Sequence, residues 1–205
     1  MFISGIIIHE LGHLIGGLIT GYHFYFIELF GVCLIKVDKQ LHFAYRKKAP
    51  IGQCIMYHDN PDKCPVPLIA GGIAANTLSA VLGTVMFILS ENLIIRLIFA
   101  ASGIANLSLA FMNIFGSETS DGRTLKEVIL LKSGRLYNEI MLIERYIGED
   151  GDYKKVPYRL KEQIKDDLKL FYRGNKSRNS LAEELKIYIK RCSEQEKNGF
   201  VRKDI

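Results

Sequence analysis

His9 and His13 lie four residues apart, with Glu10 directly after the first, in a segment that otherwise carries no formal charge. On a helix, side chains at this spacing project from one face, so the two imidazoles can bind one tetrahedral Zn²⁺ ion. Glu10 would lie beside the metal, where a carboxylate can take a proton from bound water. The pattern predicts a helical zinc site in which Glu10 is the general base.

Ionisable groups are costly to bury in an apolar segment, and this cost favours a functional role for all three side chains. Two simpler interpretations compete with a metal site. The motif could be a chance match in a packed amphipathic helix, or the histidines could be hydrogen-bonded core residues. The complete pattern of two histidines with an adjacent glutamate favours the metal site.

Three apolar stretches, residues 2–20, 68–90 and 93–115, are long enough to cross a bilayer as helices, which takes about 20 residues. The third contains one charged residue, Arg96, near one end, where its side chain can reach the interface. The first lacks the basic leader of a signal peptide. We predict a mainly α, polytopic protein in which a core of three transmembrane helices is surrounded by the lipid bilayer.

Lysine and arginine predict the orientation of these spans. Basic residues are concentrated in the segment 21–67 and in the tail after Phe115, whereas only Glu91 and Asn92 join the second and third spans. Both basic regions therefore belong in the cytosol. The sequence predicts a multi-pass integral protein of a bacterial cell membrane, with its C-terminal tail in the cytosol.

The 205-residue chain has 27 basic and 22 acidic residues, and in the tail the two signs are nearly balanced. This balance argues against nucleic-acid binding. Apolar residues recur at helical spacing in the tail, which predicts a cytosolic amphipathic helical extension over 123–205 that could bind a cytosolic partner. No pattern specifies an oligomeric state. The chain has four cysteines, Cys33, Cys54, Cys64 and Cys192. In a reducing cytosol we expect them to be free thiols.

The segment 22–46 is rich in aromatic and β-branched residues, in two runs separated at Gly31. This composition predicts two or three short strands, the first two joined as a β-hairpin. An open strand edge beside a membrane site could bind an extended peptide by strand addition. A small sheet without any ligand is equally compatible with the pattern.

Small residues at four-residue spacing in the second span predict close helix packing in the membrane. Asn76 in this span and Asn113 in the third are polar groups at membrane depth. Either could form a hydrogen bond between helices or contact a substrate.

A catalytic zinc site usually has three protein ligands, so one remains to be found. The long metzincin motif would place a histidine at position 19, which is Ile19. A thermolysin-like glutamate is a weak interpretation, because the nearest candidate, Glu28, lies in a strand-like run. Asp121, just beyond the third span, is the better candidate, and Glu118 is its rival.

Three blocks of sequence resemble the site-2 protease family of intramembrane zinc metalloproteases. They are the segment from His9 to His13, Gly72 to Asn76, and the run from Asn113 to Asp121 and Gly122, with the family's separation between asparagine and aspartate. The strand-like segment also falls where that family has a membrane-associated β-hairpin. The resemblance covers residues 2–125.

The family's prolines are missing from the second and third blocks. Ile73 takes the proline position of the second block, while Gly116, Glu118 and Thr119 occupy the proline-rich stretch of the third. Proline would break the helix before the aspartate, and Gly116 could supply that break by its flexibility.

The resemblance implies that His9, His13 and Asp121 hold Zn²⁺ and that Glu10 is catalytic. It also implies hydrolysis of a peptide bond in or near a transmembrane segment of a membrane-bound substrate, which Asn76 and Asn113 would orient. Such a substrate could be a regulator, a signal-peptide remnant or a peptide precursor. The metalloprotease core would span 1–122.

An alternative function is a catalytically inactive membrane scaffold that binds a partner through its cytosolic tail. The missing prolines and the long tail motivate this alternative. Glu10 argues for the enzyme, because a scaffold does not need a general base beside the metal.

Overall fold

The computed structural model describes the chain apart from residues 38–39, 47–49, 117–119, 149–151, 175–178 and 202–205. The described part contains seven α-helices and one four-stranded antiparallel sheet. The predicted fold class, mainly α with three long apolar helices, is confirmed.

The elements follow one another in a simple order. The helices are α1 (Phe2–Ile19), α2 (Val66–Leu89), α3 (Leu93–Phe115), α4 (Asp121–Leu130), α5 (Gly134–Ile147), α6 (Tyr158–Gly174) and α7 (Ser180–Val201). The strands, all between α1 and α2, are β1 (His23–Leu29), β2 (Val32–Val37), β3 (Gln40–Tyr45) and β4 (Gly52–Tyr57).

Helices α1, α2 and α3 are long and apolar enough to span a membrane, as predicted. Their large outward-facing side chains are apolar, with Ile19 79%, Ile94 70% and Leu89 69% exposed, as expected for surfaces that face lipid. Asn92 caps the N-terminus of α3, because its side-chain oxygen accepts hydrogen bonds from the backbone amides of Ile94 and Ile95.

Glycines allow α1 and α2 to cross with their backbones nearly in contact. A Cβ atom added to Gly12 would collide with the carbonyl oxygen of Gly71 and would lie 2.6 Å from Cβ of Ala75. In lipid, where the solvent gives helices little reason to associate, such close packing is a main source of helix affinity. The crossing therefore fixes the face of α1 that carries both histidines against α2.

The sheet has the strand order β3-β2-β1-β4. Strands β1 and β2 form the predicted hairpin, with Leu29 opposite Val32 and a turn at Phe30 and Gly31, both at positive φ. Positive φ at both turn positions is typical of the type I′ turns that join two-residue hairpins. The fourth strand was not predicted, because the stretch from Gly52 to Cys54 has little β propensity and β4 is defined by its pairing with β1.

The chain divides into two compact units. The first comprises Met1–Met56 and Pro65–Lys126, and the second comprises Tyr57–Cys64 and Glu127–Ile205. The sequence placed a single boundary after Gly122, whereas the structure groups the short loop before α2 with the tail.

Hydrogen bonds and ion pairs within the second unit explain this grouping. Asn138 of α5 is fully buried, and its Nδ2 atom donates to the carbonyl oxygens of Pro61 and Lys63, both at 2.7 Å. Arg135 forms an ion pair with Asp62 of the same loop at 2.7 Å. Side chains of the tail therefore satisfy the polar groups of the loop.

The helices of the tail are amphipathic, as expected. Their buried apolar side chains recur at three- and four-residue spacing and include Ile140, Ile143 and Ile147 of α5, Ile164 and Leu168 of α6, and Leu181 and Leu185 of α7.

Candidate metal centre

Helix α1 presents His9 and His13 from one face, as the four-residue spacing predicts. Both residues are buried, at 7% and 8% exposure, and their Nε2 atoms lie 3.1 Å apart. The rings meet edge to face, with centroids 4.7 Å apart. The two nitrogen lone pairs can therefore converge on one point.

Asp121, the first residue of α4, completes the group. Its Oδ2 atom lies 2.8 Å from Nε2 of His9 and 3.2 Å from Nε2 of His13. The next residue explains the approach, because a Cβ atom on Gly122 would lie 2.7 Å from the carbonyl oxygen of Asn113. Glycine at 122 thus lets α4 start against the end of α3, which is capped by Gly116.

The donor set fits a tetrahedral metal ion. Ligand distances of about 2.0–2.1 Å to Zn²⁺ imply separations of roughly 3.3 Å between ligand atoms. The observed 2.8–3.2 Å separations among His9, His13 and Asp121 are close to this value. Oδ2 of Asp121 is also buried without a hydrogen-bond donor, as expected of an atom that binds a cation.

The charge state of Asp121 suits the same role. Burial alone would raise the pKa of this carboxyl, but the neighbouring imidazoles of His13 and His9 outweigh burial and hold the pKa below its usual range. Asp121 is therefore a carboxylate at neutral pH.

Helix α2 orients both imidazoles from behind. Nδ1 of His13 lies 2.8 Å from the backbone carbonyl oxygen of Leu68, and Nδ1 of His9 lies 3.2 Å from the amide of Asn76, which is fully buried. Contacts of this kind fix the ring orientation and tautomer of histidines that bind metals. The contact with Leu68 involves a backbone atom, so no side-chain pattern could have predicted it.

Gly72 of α2 forms the wall beside the histidines. A Cβ atom there would lie 2.5 Å from Nε2 of His13 and 2.7 Å from Nε2 of His9. Only glycine leaves room for both rings in this arrangement. The sequence placed Gly72 in a block that resembles the protease family, but the contact itself depends on the helix crossing.

Glu10 lies beside β4, the strand that sequence patterns did not predict. Glu10 is 6% exposed, and a Cβ atom on Gly52 would lie 2.7 Å from its Oε1 atom. The backbone of β4 thus runs directly past this carboxylate. On the same strand, burial and the charge of Glu10 raise the pKa of Cys54 to about 12, so Cys54 is a neutral thiol rather than a ready metal ligand.

Among the described residues, the other candidates are not part of the group of three potential ligands. The four cysteines, all among the described residues, are thiols that are not joined in disulfides. Nδ2 of Asn113 donates to the carbonyl oxygen of Leu109 in its own helix, and Glu28 is buried in an ion pair with Arg46 at 3.1 Å. Glu118, the rival ligand, lies outside the described residues. Within the described chain, the group of three potential ligands that can hold one ion is His9, His13 and Asp121.

Asn106, a second fully buried asparagine within the three long apolar helices, was not singled out from the sequence. Asn106 of α3 is fully buried, donates through Nδ2 to the carbonyl oxygen of Ser102, and packs against Gly5 of α1. A polar amide within an apolar stretch was the signal in the sequence that could have identified Asn106. Its contact with α1 could not be predicted, because that contact depends on how the helices pack.

Protein-family models, curated proteins and solved structures were all compared with the chain, and none matches it.

Proposed function

We propose that this chain is an intramembrane zinc metalloprotease similar to the site-2 proteases. It would hydrolyse a peptide bond in or near a transmembrane segment of a membrane-bound protein or peptide. The single observation that carries the proposal is the approach of Asp121 to His9 and His13 within 3.2 Å, beside an otherwise unexplained buried glutamate.

Residues of α1, α3 and α4 would bind the metal, transfer the proton and orient the substrate. His9, His13 and Asp121 hold the ion, which would supply a Lewis acid and lower the pKa of a water to about 7. Glu10 accepts a proton from the attacking water and returns it to the leaving amine nitrogen. Asn113, on the part of α3 that leads to Asp121, is the candidate for orienting the substrate.

The sheet offers a surface for the substrate. In the described part of the chain, β4 has one strand neighbour, β1, so its other side is an edge. Strand addition would place an extended peptide along β4, and the backbone of this strand passes Glu10 at Gly52. Extended substrate would thus be held beside the general base, with its transmembrane segment already unwound.

The location of the site supports hydrolysis within a membrane. His9 and Glu10 lie within α1, which is apolar enough to span the bilayer. The proposed cytosolic position of the tail places the end of α3, and with it Asp121, on the cytosolic side.

The test uses the full chain in detergent micelles. Wild type is expected to contain about one zinc per chain and to cleave members of a library of fluorescence-quenched apolar peptides. Glu10→Gln should keep the zinc and the thermal stability but lose cleavage by at least about a hundredfold. Cleavage that persists in Glu10→Gln, or a folded wild type without zinc, would overturn the proposal. Zinc without any cleavage would favour the inactive scaffold.

A further inference from the structure

The contact between Asn76 and His9 leaves one atom unexplained. Nδ2 of Asn76 faces Nδ1 of His9 at 3.2 Å, while Oδ1 is buried without a hydrogen-bond partner. The two ends of an asparagine amide have nearly the same shape, so the hydrogen-bonding partners decide which end faces the ring.

The neighbouring histidine shows which ring tautomer a metal ligand needs here. A carbonyl oxygen can only accept, so Nδ1 of His13 must carry the proton that it donates to Leu68. A neutral imidazole has one proton, which leaves the lone pair of Nε2 for the metal.

The same requirement applies to His9, whose Nε2 atom converges on the same point. Its Nδ1 atom must then carry a proton, and a protonated nitrogen needs an acceptor. Of the two ends of the Asn76 amide, only Oδ1 can accept. If the amide of Asn76 is flipped, Oδ1 accepts a hydrogen bond from Nδ1–H of His9. Both the histidine and the unpaired oxygen then have a hydrogen-bond partner.

We propose that Asn76 is a positioning residue that presents Oδ1 to the Nδ1–H group of His9 and holds this ring in its metal-binding tautomer. The inference rests on the proposed zinc centre. It gives Asn76 a role distinct from the substrate contact expected from the sequence. Because the amide and the ring are both buried, water cannot replace the lost acceptor readily.

Two substitutions at Asn76 separate the two orientations of the amide. Asn76→Leu removes the acceptor and is expected to weaken zinc binding about 10–100-fold, the usual effect of losing such a partner. Asn76→Asp keeps the size of the side chain and can only accept, so it should retain zinc affinity. If the nitrogen faced His9 instead, Asn76→Asp would fail as badly as Asn76→Leu.

Asn106 provides a matched control. It is equally buried, and its Oδ1 atom also lacks a partner, but it packs against Gly5, one turn before His9 on α1. Asn106→Leu therefore removes a buried membrane amide without removing an acceptor from a ligand. Its zinc affinity should equal that of the wild type.

The measurement is the dissociation constant of Zn²⁺ from the full detergent-solubilised chain, by competition with a chromophoric chelator. A second readout is the tautomer of His9 in the metal-free protein, from ¹⁵N NMR of histidine-labelled chains. The ring should be Nδ1-protonated in wild type and mixed in Asn76→Leu.

Each outcome bears on the inference. Unchanged zinc affinity in Asn76→Leu, equal losses in Asn76→Leu and Asn106→Leu, or failure of Asn76→Asp to bind would overturn it while leaving the zinc centre intact. A wild type that binds no zinc would overturn the proposed function as well, so the two failures are distinguishable.

Discussion

Nε2 of His9 lies 2.8 Å from Oδ2 of Asp121, although two long apolar helices and a four-stranded sheet separate these residues along the chain. This contact depends on two close helix contacts, one between α1 and α2 and one between α3 and α4. Glycines bring α2 against α1, and Gly122 brings the start of α4 against the end of α3. A metal ion bound here would therefore join α1 to the segment that follows α3.

Asp121→Ala should remove most of the zinc from the purified protein. A lost direct ligand costs at least as much as a lost supporting residue, so we expect a fall in affinity of at least about 10–100-fold. The measurement is metal content per chain by mass spectrometry. Asp166→Ala, which removes an exposed carboxylate paired with Lys169, should leave the zinc in place. Loss of zinc in Glu118→Ala but not in Asp121→Ala would assign the third ligand to Glu118.

Gly72→Ala should displace the histidines without changing any ligand. The new Cβ atom would fall 2.5–2.7 Å from ring atoms of His13 and His9, so the rings must move. Zinc affinity is expected to drop sharply. Gly103→Ala is the matched control, because its Cβ would lie 3.5 Å from its nearest neighbour, the carbonyl oxygen of Ala80. Equal zinc binding by both variants would contradict the role of Gly72 as the wall of the site.

Asn138→Leu should destabilise the second unit. The carbonyl oxygens of Pro61 and Lys63 would each lose a donor at 2.7 Å, and the net loss is about 1 kcal/mol for each hydrogen bond. Hydrogen exchange should show faster opening of the loop at residues 57–64 in the variant. Lys169→Ala, at a side chain that is 69% exposed, should change nothing, and protection retained in Asn138→Leu would refute the prediction.

Stability should fall as the pH rises towards 9, because of Glu139. Burial and the nearby Asp167 raise the pKa of this fully buried carboxyl from 4.5 to about 9. The folded state therefore holds a proton that the unfolded state releases, and the stabilisation present below pH 4.5 is lost as the pH rises through 9.

For one proton, the free energy of unfolding can fall by at most about 1.4 kcal/mol per pH unit. The Nε atom of Arg135 lies 3.8 Å from Oε1 of Glu139 and favours the charged form of this carboxyl. Arg135 therefore reduces the effect of Glu139 on the pH dependence of stability. Glu139→Gln should flatten the dependence of the melting temperature on pH and be more stable than wild type at pH 9. Parallel curves for the two proteins would show that Glu139 does not titrate in this range.

Local features made much of the fold predictable. Hydropathy and length determine the three spans, because lipid-facing helices must be apolar over their whole length. Residue types and Gly31 placed the first hairpin. The pair His9 and His13 was predictable because helical periodicity alone puts both on one face.

Contacts between elements that are distant in the sequence could not be predicted and were found only in the tertiary structure. Strand β4 exists through its pairing with β1, and its approach to Glu10 at Gly52 depends on how the sheet packs on α1. The assignment of the loop at 57–64 to the tail depends on Asn138, whose partners are backbone carbonyls that look alike in any sequence.

The sequence by itself determined the candidate ligands His9 and His13, the carboxyl group of Glu10 beside them and the apolar helix that carries all three. It named Asp121 and Asn76 as candidates, but only the helix crossing decided that Asp121 reaches both histidines and that Asn76 contacts the back of His9. The reason is physical: residue type and spacing fix what a side chain can do and which face it occupies. Close packing of glycine-bearing helices fixes which faces meet.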